Sequence, residues 1–186
     1  MTYIVSFFPL YFIAFPVLLI VIKKLPNDNR EKEGLGFPTL LKCFCMCITI
    51  MYLGNILGTG LSEVIGGFFG KTSTNNLANL ITNADLTGTI IFVVIVGPIM
   101  EEIVFRKILI DKTVKYGERN AMMLSALMFG LFHMNLFQFF YAFGIGLIFA
   151  YIYIKSRKIG YSIAFHMIIN FMGSVIAVLV SKNFTE

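Results

Sequence analysis

Three polar groups interrupt otherwise apolar stretches of this sequence: Glu101-Glu102-Ile-Val-Phe-Arg106, Phe129-Gly-Leu-Phe-His133 and His166-Met-Ile-Ile-Asn170. His133 and His166 are the only histidines of the chain. An ionisable side chain inside an apolar run is costly, and it marks a functional site by default. The residue types suit hydrolysis of a peptide bond. That reaction needs a water made nucleophilic, a carrier for its proton and a donor for the developing oxyanion. A glutamate in a dry cavity can activate the water, and a nearby histidine can share it and pass the proton on. A second histidine with an asparagine can polarise the substrate carbonyl. Alternatively, Glu101, His133 and His166 could hold zinc as a His₂Glu catalytic site. The helical HExxH signature is absent, so the zinc alternative rests on ligand types alone.

Helix geometry sorts these groups into faces. Residues four apart share a face and adjacent residues do not. Glu102 and Arg106 are therefore expected to form an ion pair. Glu101 projects about 100° away from Glu102 and is left to face a cavity. His166 and Asn170 share a face, so Asn170 can orient the imidazole or donate into the same cavity. Singly, each motif has a plain structural explanation: an ion-pair clamp, a packed histidine, an interhelical hydrogen bond. Together they are better explained by a shared site.

The elements that position them are membrane helices. The sequence of 186 residues is 58% hydrophobic and only 13% charged, with a mean hydropathy of +0.83. Soluble domains carry about 25% charge. The net charge of +5 does not indicate nucleic acid, because the basic residues form short clusters between apolar runs, as membrane topology demands. Spans of about 20 apolar residues are expected at 3–22, 37–57, 86–110 and 159–180. The stretch 121–154 is long enough for two more, with a turn near Asn135–Gln138. Span one reads as an anchor rather than a cleaved signal peptide. The segment from Gly58 to Asp85 reads as an external loop or a re-entrant segment.

Lys and Arg cluster after spans one and three and before span six, and the intervening loops hold few. That alternation predicts both termini on the non-cytoplasmic side, with Lys182 weakly opposed. Measured from the cytoplasmic ends of their spans, Glu101, His133 and His166 lie roughly 16, 18 and 12 Å deep at 1.5 Å per residue. Three ionisable groups on three helices thus fall at similar depth. Gly54 to Gly58 and Gly66 to Gly70 have the spacing that lets membrane helices approach closely. Cys43, Cys45 and Cys47 alternate within an apolar run and match neither a zinc knuckle nor a redox pair. They read as apolar filler.

The ordered set EExxxR, FxxxH and HxxxN on successive helices resembles the CPBP family of intramembrane proteases. That family includes the CAAX prenyl endopeptidases and bacterial proteins related to bacteriocin immunity. The resemblance covers roughly residues 87–180, a catalytic core, with residues 1–86 supplying N-terminal helices of the same integrated domain. It implies an all-α polytopic bundle of about six helices and an endopeptidase activity. It further implies that Glu101 activates water with His133 beside it, and that His166 and Asn170 stabilise the oxyanion. Glu102, Arg106 and Phe129 match as supporting residues.

A metal-free mechanism is favoured and no cofactor is expected, with zinc on Glu101, His133 and His166 as the alternative. The expected partners are the bilayer of a bacterial plasma membrane and a hydrophobic or membrane-associated peptide, such as a bacteriocin, leader or pheromone precursor. The competing functions are a non-enzymatic immunity protein that acts by binding and a proton-coupled carrier.

Overall fold

The computed structural model describes residues 9–23, 31, 33–70, 86–176 and 179. Six helical rods run through these residues, and no strand occurs among them. A π-helical turn at Pro9–Ala14 leads into α1 (Phe15–Ile22). α2 is Phe37–Phe68, and α3 runs through Leu86–Tyr116. α4 is Glu118–Phe132, α5 is Leu136–Ser156 and α6 covers Ile159–Ile176. The helices α2, α3, α5 and α6 are each long and apolar enough to cross a membrane. Large apolar side chains such as Phe37, Ile56, Phe68 and Met134 point outward, as a lipid-facing surface requires. The chain is an integral membrane protein built as a polytopic helical bundle.

Two expected boundaries move. The segment that begins at Gly58 is not all loop, because α2 continues to Phe68. Glycines are weak helix formers in water, and their density there reads as a break. Here they are contact points between helices. A Cβ on Gly54 would lie 2.6 Å from the backbone of Tyr141, and one on Gly58 would lie 2.7 Å from the carbonyls of Leu136 and Phe137. α2 therefore lies backbone-to-backbone against α5, as close-spaced small residues allow. The second glycine pair has no such use, since Gly70 has open space around it. Residues 71–85, the rest of the expected loop, lie outside the described residues, as do the first six residues of the expected first span.

The second shift concerns the turn between α4 and α5. It occupies His133–Asn135, and Gln138 already belongs to α5. Met134 adopts a left-handed φ of 54° and reverses the chain, and the Asn135 side chain accepts from the Gln138 amide to cap α5. α4 has 15 residues, a rise of about 22 Å against a hydrocarbon core of about 30 Å. A turn at such depth must satisfy its own hydrogen bonds.

The tightest core joins α2, α5 and α6 through Cys47, Ile145, Phe149 and Ile169. Cys43 and Cys47 face inward and Cys45 faces outward. Beside it, Phe105, Phe129 and Ala142 tie α3, α4 and α5 together. Ser125 on α4 donates to the Phe105 carbonyl at 2.8 Å.

A Gly58→Leu substitution should force α2 off α5. Overpacking a filled contact costs about 1–3 kcal/mol or more. The expected result is a clear drop in the melting temperature of the purified protein in detergent. Gly60→Ala, whose Cβ meets nothing, should leave the melting temperature where it was.

Candidate active site

Helix α3 changes its winding around the paired glutamates. Thr89–Val96 and Ile103–Ile110 are π-helical, and the intervening Gly97–Glu102 is α-helical. π windings are uncommon and occur mostly at functional positions. Pro98, which has no N–H to donate, lies just after the switch to α winding, inside the continuous rod, where it interrupts the hydrogen-bond ladder. The result places Glu102 and Arg106 fully inside the protein, whereas the Glu101 side chain retains 16% of its exposure. The two adjacent carboxylates thus have different surroundings, one sealed and one partly exposed.

Glu102 is the hub of a sealed polar chain. Its Oε2 pairs with Arg106 Nε at 3.2 Å. Its Oε1 accepts from His166 Nδ1 at 3.0 Å, across from α6. The Ser162 hydroxyl, one turn before His166, donates to the Ile159 carbonyl at 3.0 Å. The terminal nitrogens of Arg106 have no hydrogen-bond partner among the described residues. Instead the guanidinium lies 4.4 Å from the Phe129 ring centre and 5.4 Å from that of Phe149. Aromatic faces are a favourable seat for a dehydrated cation.

His166 therefore joins both glutamates. With Nδ1 donated to Glu102, its Nε2 faces Glu101 Oε2 at 3.7 Å. That gap is beyond a direct hydrogen bond, and a water bonded to both atoms can bridge it. The ring is wedged between Phe129, met edge-on at 5.5 Å, and Phe149 at 5.4 Å.

Phe129 also meets His133 edge-on, at 5.1 Å, so one ring spaces both histidines. His133 Nδ1 lies 2.9 Å from the Phe129 carbonyl. A carbonyl only accepts, so Nδ1 carries the proton in the neutral ring and Nε2 is left bare as an acceptor. The charges that act on His133 are those of Glu101, His166 and Arg106.

Asn170 does not orient His166. Its Nδ2 donates to the Val93 carbonyl at 2.9 Å, in the first π-helical stretch of α3. The sequence reading offered Asn170, four residues away on the same helix, either donation into the cavity or that orienting task. Glu102 performs it from another helix, a pairing that no spacing within α6 could reveal.

The expected residues are thus distributed over three helices around Phe129. Glu101, Glu102 and Arg106 come from α3, His133 from the end of α4, and His166 and Asn170 from α6. Residues missed by the sequence reading are Phe149, Ser162 and Tyr141. The Tyr141 hydroxyl lies within electrostatic range of Glu101. In a chain with 20 Phe and 8 Tyr, nothing marks these aromatics out. No three His, Cys, Asp or Glu side chains gather around a common point among the described residues. His166 commits only Nδ1 to Glu102, as metal-bound histidines commonly do to a carboxylate, so its Nε2 stays available beside Glu101.

Residues 83–172 match the family described as Type II CAAX prenyl endopeptidase Rce1-like. This segment holds all three motifs and every group of the constellation above. The match spans 90 of the 186 residues, just under half of the chain. The chain is similar to a Bacillus subtilis protein described as a membrane peptidase, YdiL, at 28% identity over 91% of this chain and 70% of the relative. It is similar also to the membrane-embedded CAAX protease MroQ of Staphylococcus aureus, at 27% identity over 87% of this chain and 68% of the relative. No solved structure matches the chain. The match and both relatives support a protease, a hydrolase, embedded in the membrane.

Proposed function

We propose that the protein is an intramembrane endopeptidase that cleaves a hydrophobic or membrane-associated peptide by water activated between Glu101 and the histidines. The observation that carries this reading is His166, held by Glu102 on one nitrogen and facing the partly exposed Glu101 on the other. A water at that point can surrender a proton to Glu101 as it attacks the scissile carbonyl. The bare Nε2 of His133 suits it to share that water and relay the proton to the leaving amine. His166, as the imidazolium that Glu102 steadies, donates from Nε2 to the oxyanion. Asn170 spends one N–H on Val93 and has a second for the same carbonyl. Arg106 and Glu102 hold His166 in place, as a carboxylate orients the imidazole in a hydrolytic triad.

The substrate is a hydrophobic peptide rather than a prenylated tail, and its processing serves peptide maturation or self-protection against a bacteriocin. The chain crosses a bacterial plasma membrane six times with both termini outside. The chemistry is metal-free, with Glu101 and the histidines acting directly on the water. Cleavage of a panel of hydrophobic peptides by purified protein in detergent tests both points. Turnover should persist in a strong zinc chelator. Loss of turnover with chelator, restored by zinc, would assign Glu101 and the histidines to a metal instead.

A further inference from the structure

A second buried ion pair ties α3 to the start of α6, at the same interval from the site on both helices. Asp111 follows Glu102 by nine residues on α3, and Arg157 precedes His166 by nine. Arg157 caps α5, and only Lys158 separates it from the first residue of α6. Its Nη1 donates to Asp111 Oδ1 at 2.6 Å, and neither side chain is more than 6% exposed. The same carboxylate accepts from the Tyr153 hydroxyl at 2.7 Å and from Lys107 at 2.7 Å. Arg157 adopts a left-handed φ of 55°, a conformation in which glycine costs the backbone least. The cost is offset by its side chain, which lies over the Tyr153 ring at 5.0 Å and reaches Asp111. Three contacts thus cross from α3 to the α6 arm in antiparallel order. They are Asp111 with Arg157, Glu102 with His166, and the Val93 carbonyl with Asn170. The catalytic contact is the middle one.

From this we infer that Asp111 and Arg157 are positioning residues of the active site, which fix the register of α6 against α3 and so set the gap between His166 Nε2 and Glu101. This role presupposes the peptidase reading above and falls to two residues that none of the three motifs contains. Neither touches the reacting atoms. Nine helical residues rise about 13 Å, so the pair acts on His166 through the rigid first turns of α6. A slip of one residue would move α6 by about 1.5 Å and turn it by about 100°. The 3.7 Å between His166 and Glu101 suits one bridging water and tolerates no such slip. Misplacement by about 1 Å can cost about 100-fold in rate. The contact of His166 with Glu102 is by itself one point, about which α6 can pivot. The Asp111–Arg157 pair supplies a second point on the side where α6 begins, and Asn170 a third on the other side.

The competing role for the pair is stability alone. Removing one partner would strand a buried charge and destabilise the protein whichever role holds, so the test removes both charges. In Asp111→Asn/Arg157→Met the asparagine still accepts from Tyr153, and the methionine fills the space over its ring. Arg157→Lys, in contrast, keeps a cation for Asp111. Peptide cleavage would be measured for wild type, the double variant, Arg157→Lys, Glu101→Gln and the control Lys155→Gln, with melting temperatures in detergent alongside. Lys155 forms an exposed pair with Glu118, of the kind that contributes little. The expected result for the double variant is a fall in kcat of about tenfold or more, with KM within about twofold of wild type and an unchanged melting temperature. Arg157→Lys should recover much of that loss, and Lys155→Gln should match wild type. A double variant with wild-type kcat overturns the inference, provided that Glu101→Gln is inactive. A fall in kcat matched by a lowered melting temperature overturns it too, in favour of the structural role. So does an Arg157→Lys enzyme no faster than the double variant, since a cation on Asp111 is then not what matters. Should Glu101→Gln retain full activity, it is the peptidase reading that fails.

Discussion

Glu101→Gln should abolish turnover while the protein still inserts and folds. The substitution keeps the shape of the side chain and removes only its ability to accept a proton. A positioned general base contributes about 10²–10⁴-fold, which is about 3–5 kcal/mol of transition-state stabilisation. Folding should be insensitive, because Glu101 keeps 16% of its side-chain exposure and faces His166 across 3.7 Å instead of sealing a pair. The measurement is kcat for peptide cleavage beside a melting curve in detergent. A loss of two or more orders in kcat at an unchanged melting temperature is the expected outcome. Equal turnover by the variant would remove Glu101 from the chemistry.

The fold was legible where membrane physics leaves few choices. Long apolar runs can only be helices in lipid, so α2, α3, α5 and α6 could be placed from composition. The Glu102–Arg106 pair followed from four-residue spacing and stands at 3.2 Å. What could not be read depends on contacts between helices. The spacing of Gly54 and Gly58 announced a close approach, but not that Leu136 and Phe137 of α5 are what lies against Gly58. The π windings around Gly97–Glu102 leave no compositional mark, yet they help set which carboxylate is sealed.

A second polar cluster also went unseen. Asp111 on α3 accepts from Tyr153 at 2.7 Å and pairs with Arg157 at 2.6 Å and Lys107 at 2.7 Å. Arg157 counted in the sequence as a loop base that sets topology. In the fold it is 7% exposed, in a left-handed conformation at the end of α5, and it locks α5 to α3. Its partner is 46 positions away, beyond any periodicity argument.

The paired variants of Glu102 and Arg106 carry the other large effect, and they separate two roles that coincide in one carboxylate. Glu102 is fully buried, pairs with Arg106 and orients His166. Glu102→Gln leaves a buried guanidinium without its counter-charge, which costs about 3–5 kcal/mol. Low yield and a sharply lowered melting temperature are expected. Replacing the whole pair is different, because apolar substitutes for a buried ion pair are often neutral or stabilising. Met at position 106 would fill the space between Phe129 and Phe149 with a flexible apolar chain.

The double variant Glu102→Gln/Arg106→Met should therefore fold like wild type. Gln at position 102 keeps an acceptor for His166 Nδ1 and loses the charge that steadies an imidazolium. Partners that orient an active-site histidine are worth about 10–100-fold, and kcat of the double variant should remain depressed by that amount. Recovery of stability without recovery of kcat would assign Glu102 to the chemistry through His166. Recovery of both would reduce the pair to a clamp and leave His166 held by its aromatic walls alone.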